Sequence, residues 1–238
     1  MNIKAVGFDF DGTLYPERNL FLHSLRLGLR NPRFFLAYRQ ARNTLRASGP
    51  EGGAQSNQAS PHVGFDEKRR ALDAFRKAQS ELIGRSLGMD AGRAEALTNA
   101  IIYESLESSF ARIQPYRGVK TCLETLKAKG LRLAVLSDLP PWEKLKTLGL
   151  DGYFDTILCS ECSGRLKPDR RPFLFLADKL GANPEDVLYV GNNWEIDIEG
   201  AHAAGMKTAY RGRRPRRNTA ADFCFRDWDA LSRWILSR

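Results

Sequence analysis

Cysteine is scarce in this chain, with Cys122, Cys159, Cys162 and Cys224 the only four in 238 residues. They are too few and too scattered for a disulfide framework in a protein of this length. Cys159 and Cys162 form a C-x-x-C, the spacing of a redox pair or of half a zinc site. Tetrahedral zinc needs two further ligands, and neither a second C-x-x-C nor an H-x-x-x-H is present. The pair therefore reads as reduced thiols in and just after a buried strand. Long apolar runs are missing too: FLHSLRLGL is interrupted by His23 and Arg26, which excludes a membrane span there. The opening MNIKAVGFDF lacks the apolar region and small-residue cleavage site of a secretory leader and already reads as a strand. The cytoplasm is the expected compartment, and no internal repeat is present.

Acids are outnumbered, 28 against 37 Lys and Arg, for a formal charge of +9. Seven arginines (Arg18, Arg26, Arg30, Arg33, Arg39, Arg42 and Arg46) have Glu17 as the one acid beside them, and a second basic cluster runs from Arg211 to Arg217. Such clusters attract a phosphorylated substrate or a nucleic acid backbone, or form a solvated face. The solvated face is the expectation for Arg211 to Arg217, and nucleic acid is not the expected partner. Arg26, Arg30 and Arg33 share one helical face and Arg39, Arg42 and Arg46 another, so either set can meet a second anionic group of a substrate or simply water. His23 reads as a surface or packing residue.

What the chain does have is a repeated grammar of short apolar runs ended by turn residues: Ile3 to Phe10, Leu131 to Asp138, Thr156 to Ser160, Val187 to Gly191, Lys207 to Tyr210 and Asp222 to Phe225. Helical patterns alternate with them. Val119, Cys122, Leu123 and Leu126 recur at helical spacing before Gly130. Phe173, Leu176, Ala177 and Leu180 do so between Pro172 and Gly181, and Asp227 is placed to cap a final helix. Strand alternating with helix predicts βαβ units, that is, an α/β fold with a Rossmann-like parallel sheet covered on both faces. Ligands then belong at the carboxyl ends of the strands.

Residues 17–112 break that rhythm and read as a helical insert after the first strand, with core segments 1–16 and 113–238 on either side. Phe34, Tyr38, Ala41 and Leu45 form one stripe, and further helices are expected from Asp66 to Leu87 and from Asp90 to Phe110. Residues 47–64 are rich in Gly, Ser and Pro and are expected to be a mobile loop.

The stretch DFDGTLY carries the chemistry. On a strand, Asp9 and Asp11 face one side while Phe8 and Phe10 face the core, and Gly12 lets the backbone turn away. Two adjacent carboxylates call for a metal, an acid/base role, or both. Other strand ends bring Ser137, Lys167, Asn192 and Asp197 to the same edge. Oxygen ligands, a cation, a hydroxyl and a nucleophile together can handle a phosphoryl group.

In order along nearly the whole chain, FDFDGTLY, VLSD, RLKPD and VGNNWEIDIEGA resemble the four motifs of the haloacid dehalogenase (HAD) superfamily of phosphohydrolases. The insert sits where that family carries its all-helical C1 cap. The resemblance implies a Mg²⁺-dependent phosphatase acting on a small phosphorylated metabolite. It assigns Asp9 as the nucleophile and Asp11 as the acid and base. Ser137, Lys167 and Thr13 would bind phosphate, and Asp9, the carbonyl of Asp11, Asp197 and Asn192 would hold the metal. Tyr15 and Pro16 would be hinge or rim. Two positions depart from the pattern: Asn192 replaces a usual acid, and Asp138 stands where many relatives carry Asn, with no role that the sequence assigns. A phosphotransferase or phosphomutase, a dehalogenase on the same fold, and a non-catalytic phosphate or nucleic acid binder are the alternatives.

Overall fold

The computed structural model describes residues 3–17, 27–48, 65–104, 113–213 and 220–238. Among them, six strands form one parallel sheet in the order β3-β2-β1-β4-β5-β6. β1 is Ala5–Phe8, shorter than the run that predicted it. Its ladder reaches one residue further, because the Asp9 amide donates to the Val190 carbonyl at 2.8 Å. The chain continues with α1 (Pro32–Ser48), α2 (Phe65–Leu87) and α3 (Ala91–Thr98). α3 continues into a π-helical turn, Asn99–Glu104, which interrupts the helix expected from Asp90 to Phe110, whose last residues lie outside those described. Of the stretch expected to be a mobile loop, residues 49–64 likewise lie outside.

Then come α4 (Val119–Ala128), β2 (Arg132–Ser137), α5 (Trp142–Leu148), β3 (Thr156–Cys159), α6 (Arg170–Lys179) and β4 (Val187–Gly191). A π-helical turn, Trp194–Glu199, leads into the single turn α7 (Gly200–Ala203), followed by β5 (Lys207–Arg211), β6 (Phe223–Phe225) and α8 (Trp228–Leu236). α6 begins earlier than its apolar spacing indicates: Asp169 caps it by accepting from the Arg171 amide, and Pro172 lies within its first turn.

Alternate strand residues feed two apolar layers, as the period of two requires. Val6, Phe8, Leu133, Val135, Leu188 and Val190 pack with Leu123 and Leu126 of α4 and with Trp228 and Leu231 of α8. Ala5, Ala134, Leu136 and Tyr189 pack with Phe173, Leu176 and Ala177 of α6 on the opposite face. Gly7 permits that second contact, since a Cβ there would run into the Leu176 side chain. β1 lies between β2 and β4, so successive connections leave it in opposite directions. The crevice at its carboxyl end is the topological switch point where such sheets bind ligands.

The helices between β1 and β2 have an apolar centre of their own, formed by Phe34, Ala37, Ala41, Ile83, Ala94, Ile101 and Ile102. A second cluster, Leu45, Phe75 and Leu166, joins α1 and α2 to the segment after β3. Burying a side chain of this size contributes about 1.5–3 kcal/mol. That contact seats the helical insert immediately beside Lys167. No helix among the described residues is long and apolar enough to cross a membrane.

Candidate active site

Asp9 follows the last residue of β1 and is almost fully buried at 7% exposure. One carboxylate oxygen accepts from Thr13 Oγ1 at 2.7 Å and the other from Lys167 Nζ at 2.7 Å. The same ammonium donates to Asp197 Oδ1 at 2.7 Å and to the Tyr189 hydroxyl at 3.2 Å, and the Tyr189 hydroxyl in turn donates to the Leu136 carbonyl at 3.1 Å. Lys167 thus bridges two buried carboxylates. Burial favours its neutral form, but Asp197 and Asp9 outweigh that and hold its pKa well above the ordinary lysine value. Asp9 is pushed up to about 7, first by burial and then by the charge of Asp197, with Lys167 pulling the other way. One ammonium is not enough positive charge for the pair.

Gly12 turns the chain at φ +78°, in the left-handed region, and a Cβ on it would collide with the Asn192 amide. That close approach brings Asn192 onto the Asp9–Asp11 loop. With its NH₂ turned inward, Asn192 donates to Thr13 Oγ1 at 3.0 Å, to Asp9 Oδ2 at 3.1 Å and to the Asp11 carbonyl at 3.2 Å. This orientation leaves the single hydroxyl proton of Thr13 for Asp9. Three oxygen-bearing groups therefore gather here, Asp9, the Asp11 carbonyl and Asp197, and Asn192 would add a fourth once its amide turns its oxygen inward toward a cation. No cluster of three or more His, Cys, Asp or Glu side chains that could hold a metal occurs among the described residues. Two carboxylates with neutral oxygens around them nevertheless fit Mg²⁺, which binds through one or two carboxylates and keeps several waters. They do not fit zinc.

Asp11 is held differently. Its Oδ1 accepts a very short hydrogen bond from the Tyr15 hydroxyl and is 3.2 Å from Lys144 Nζ, while Ser137 Oγ lies 3.4 Å from Oδ2. Tyr15 is fully buried, not at a rim as its place in the sequence indicates; burial and the charge of Asp11 raise its pKa, keeping it a donor. Ser137 ends β2 and is fully buried. The structure thus brings Asp9, Asp11, Thr13, Ser137, Lys167, Asn192 and Asp197 to one edge. Tyr15, Lys144 and Tyr189 join them without having been singled out as site residues. Lys144 lies in the first turn of the helix leaving β2, a position that places it near this edge.

Arg42 and Arg46 of α1 meet acids rather than solvent alone. Arg42 makes a very short ion pair with Glu161, which is fully buried, and donates to the Asp138 carbonyl at 3.1 Å. Arg46 donates to Asp138 Oδ2 at 2.7 Å and to the Lys167 carbonyl at 2.7 Å. Asp138 also accepts the Lys167 amide at 3.2 Å, so it ties α1 to the loop that carries the bridging lysine. Burial opposes the Asp138 charge, but Lys167, Arg42 and Arg46 hold its pKa below the usual carboxylate value. Arg30, Arg33 and Arg39 are exposed, while Arg18, His23 and Arg26 lie outside the described residues. In the second basic cluster, Arg211 is half-buried, not solvated: its guanidinium stacks 3.5 Å from the Tyr116 ring centre and donates to the Gly12 carbonyl at 3.2 Å. Arg213 is exposed, and the remainder of that cluster lies outside. Cys159 and Cys162 are free thiols with their sulfurs 3.0 Å apart.

A family model described as haloacid dehalogenase-like hydrolase matches residues 3–205. The chain is 31% identical over 228 residues to the glyceraldehyde 3-phosphate phosphatase of Methanopyrus kandleri, covering 91% of this chain and 89% of that protein. It is 30% identical over 233 residues to the phosphoglycolate phosphatase of Pasteurella multocida, covering 94% and 95%. Its fold matches the crystal structure of a 2-haloacid dehalogenase from Pseudomonas syringae with a TM-score of 0.66 and 24% identity, covering 99% of each chain.

Proposed function

The chain belongs to the haloacid dehalogenase-like hydrolase family, and from that premise we propose that it is a Mg²⁺-dependent phosphatase for a small phosphorylated metabolite, working through a phosphoryl group carried transiently on Asp9. We read residues 1–16 and 113–238 as its catalytic core and 17–112 as the cap that covers it. The observation that carries this reading is the pairing of a lysine-bridged Asp9 with a second acid, Asp11, held separately by Tyr15 and Lys144. Displacing halide from carbon needs no proton for the leaving group, so the acid role of Asp11 would have no task in a dehalogenase. The relatives named above act on glyceraldehyde 3-phosphate and phosphoglycolate, which are small phosphate monoesters.

In the first step an Asp9 carboxylate oxygen attacks phosphorus, the bond to the ester oxygen breaks, and Asp11 gives that oxygen its proton. In the second, water attacks the acyl phosphate while Asp11 takes the water's proton, which frees Asp9 and releases inorganic phosphate. Lys167 and the Ser137 and Thr13 hydroxyls stabilise the phosphoryl oxygens as charge moves onto them. Tyr15 fixes the side-chain angle of Asp11. Asp9, Asp197, Asn192 and the Asp11 carbonyl would hold Mg²⁺, which supplies the positive charge that lets an anionic nucleophile meet an anionic ester.

The direct test is release of phosphate from p-nitrophenyl phosphate. We expect turnover with Mg²⁺ that chelation by EDTA removes. A rate equal to the enzyme-free background would end the phosphatase reading, and a rate unchanged by EDTA would end its metal requirement.

Asn192 gives a second prediction. An amide contributes a dipole where a carboxylate contributes a full charge, so Asn192→Asp should lower the Mg²⁺ concentration for half-maximal activity by about tenfold, or about 1.4 kcal/mol. Identical Mg²⁺ titrations for the two proteins would remove Asn192 from the metal site.

A further inference from the structure

A cavity of about 220 Å³ opens between α2, the π-helical turn Asn99–Glu104 and the segment after β2. It adjoins the site just described. Lys144, which contacts Asp11, and Leu139, whose amide donates to Ser137 Oγ at 3.3 Å, both stand in its wall. That is room for at least several waters, and enough for a short organic group. Its position beside Asp11 is where the departing half of an ester must lie.

Arg76 of α2 also lines this cavity, with 33% of its side chain exposed. Its nearest acid among the described residues is Glu161, 3.7 Å from Nε, but that carboxylate already holds Arg42 tightly and accepts from the Tyr103 hydroxyl. Two guanidinium groups therefore share one carboxylate. The buried Nε of Arg76 has no hydrogen-bond partner among the described residues. Two other acids line the cavity: Glu143 is exposed and pairs with Lys146 at 2.8 Å, and Glu104 is exposed. The Arg76 ring contact, 5.0 Å from guanidinium carbon to the Tyr103 ring centre, holds the side chain in place without neutralising it.

We infer that this cavity receives a leaving group bearing its own anion, a carboxylate or a second phosphate on a short skeleton, and that Arg76 selects it over a neutral alcohol of the same size. The inference rests on the phosphatase reading for its substrate half. A planar guanidinium with an unmatched donor suits either anion.

The test compares 2-phosphoglycolate and inorganic diphosphate with 2-hydroxyethyl phosphate, which is neutral in its leaving half. Wild type should favour one of the anionic compounds in kcat/KM by about tenfold or more. Arg76→Gln should lose that preference, and Arg76→Lys should keep part of it. Which anionic compound wins identifies the anion. Equal kcat/KM for all three in wild type, or a preference that survives Arg76→Gln, overturns the inference. Binding to wild type and Arg76→Gln, followed through the fluorescence of Trp142 in the cavity wall, separates the two readings. If nothing is turned over but binding of an anionic compound stays Arg76-dependent, the phosphatase reading fails and the anion site stands. Turnover without preference in either assay overturns the anion site alone, and absence of both overturns the two together.

Discussion

Replacing Asp9 by Asn should lower kcat toward p-nitrophenyl phosphate by about four orders of magnitude while making the metal-free protein more stable at pH 8. The two effects have one origin. As the proposed nucleophile, Asp9 must be a carboxylate, yet burial and the nearby Asp197 push its pKa up to about 7. Its unfolded value is about 3.8. Between those values the folded protein holds a proton that the unfolded chain has released, so stability falls as pH rises from about 4 through about 7. Asparagine has no proton to lose, and Lys167 keeps Asp197 as a partner. The difference in unfolding free energy between variant and wild type should therefore grow across that window, reaching on the order of 4 kcal/mol, and stay level above it. Urea unfolding in EDTA at pH 5, 7 and 8 measures it. A difference that does not change with pH would show that Asp9 is already fully ionised in the fold, and retained turnover would remove it as nucleophile.

The parts of this molecule visible in its amino-acid order are those set by local pattern. Runs such as LRLAV and VLYVG are apolar on both faces because both faces are covered, and such runs belong to buried parallel strands. Once β1 was recognised, Asp9 and Asp11 followed from the strand's end, and Ser137, Lys167 and Asp197 from the ends of its neighbours. What stayed hidden depends on which way a cap helix faces and how closely it approaches. Arg39 and Arg42 look alike in the chain, yet one is exposed and the other is 7% exposed against Glu161. Asp138 had no visible purpose because its partners, Arg46 and the Lys167 amide, lie 92 and 29 residues away. Tyr15 reads as hinge or rim because it lies at the junction between the first strand and the helical insert. Instead the turn beginning at Gly12 folds back and buries the ring against Phe10, at 5.1 Å between centres. The π-helical turn after α3 was equally unreadable, since the apolar spacing of NAIIYE is compatible with an ordinary helix.

Glu161 is where the cap's attachment concentrates, and Glu161→Ala should cost about 3–5 kcal/mol of stability. The carboxylate is completely buried and faces Arg42, whose side chain is only 9% exposed, together with Arg76 and the Tyr103 hydroxyl. Its removal leaves the Arg42 charge without the carboxylate it contacts, with only the more distant Asp138 charge among the described residues to oppose it. The other acceptors within reach, the Asp138 carbonyl at 3.1 Å and Gln79 Oε1 at 3.3 Å, are neutral and already engaged. Stacking of the guanidinium between Tyr38 and Phe75, at 5.8 and 5.7 Å from their ring centres, offsets only part of the desolvation. Removing the cation as well should relieve the penalty, so Arg42→Met combined with Glu161→Met should be far less destabilised than the sum of the two single changes. A double-mutant cycle in urea would then give a coupling of about 2 kcal/mol or more. The same loss should reach the active edge through Asp138, since Arg42 and Arg46 of α1 both bond to it and Arg46 also holds the Lys167 carbonyl. We expect KM for phosphate esters to rise in Glu161→Ala even under conditions where the protein is fully folded. Strict additivity in the cycle, together with an unchanged KM, would mean that the cap is held by its apolar contacts at Leu45, Phe75 and Leu166 and that the buried ion pair contributes nothing to its seating.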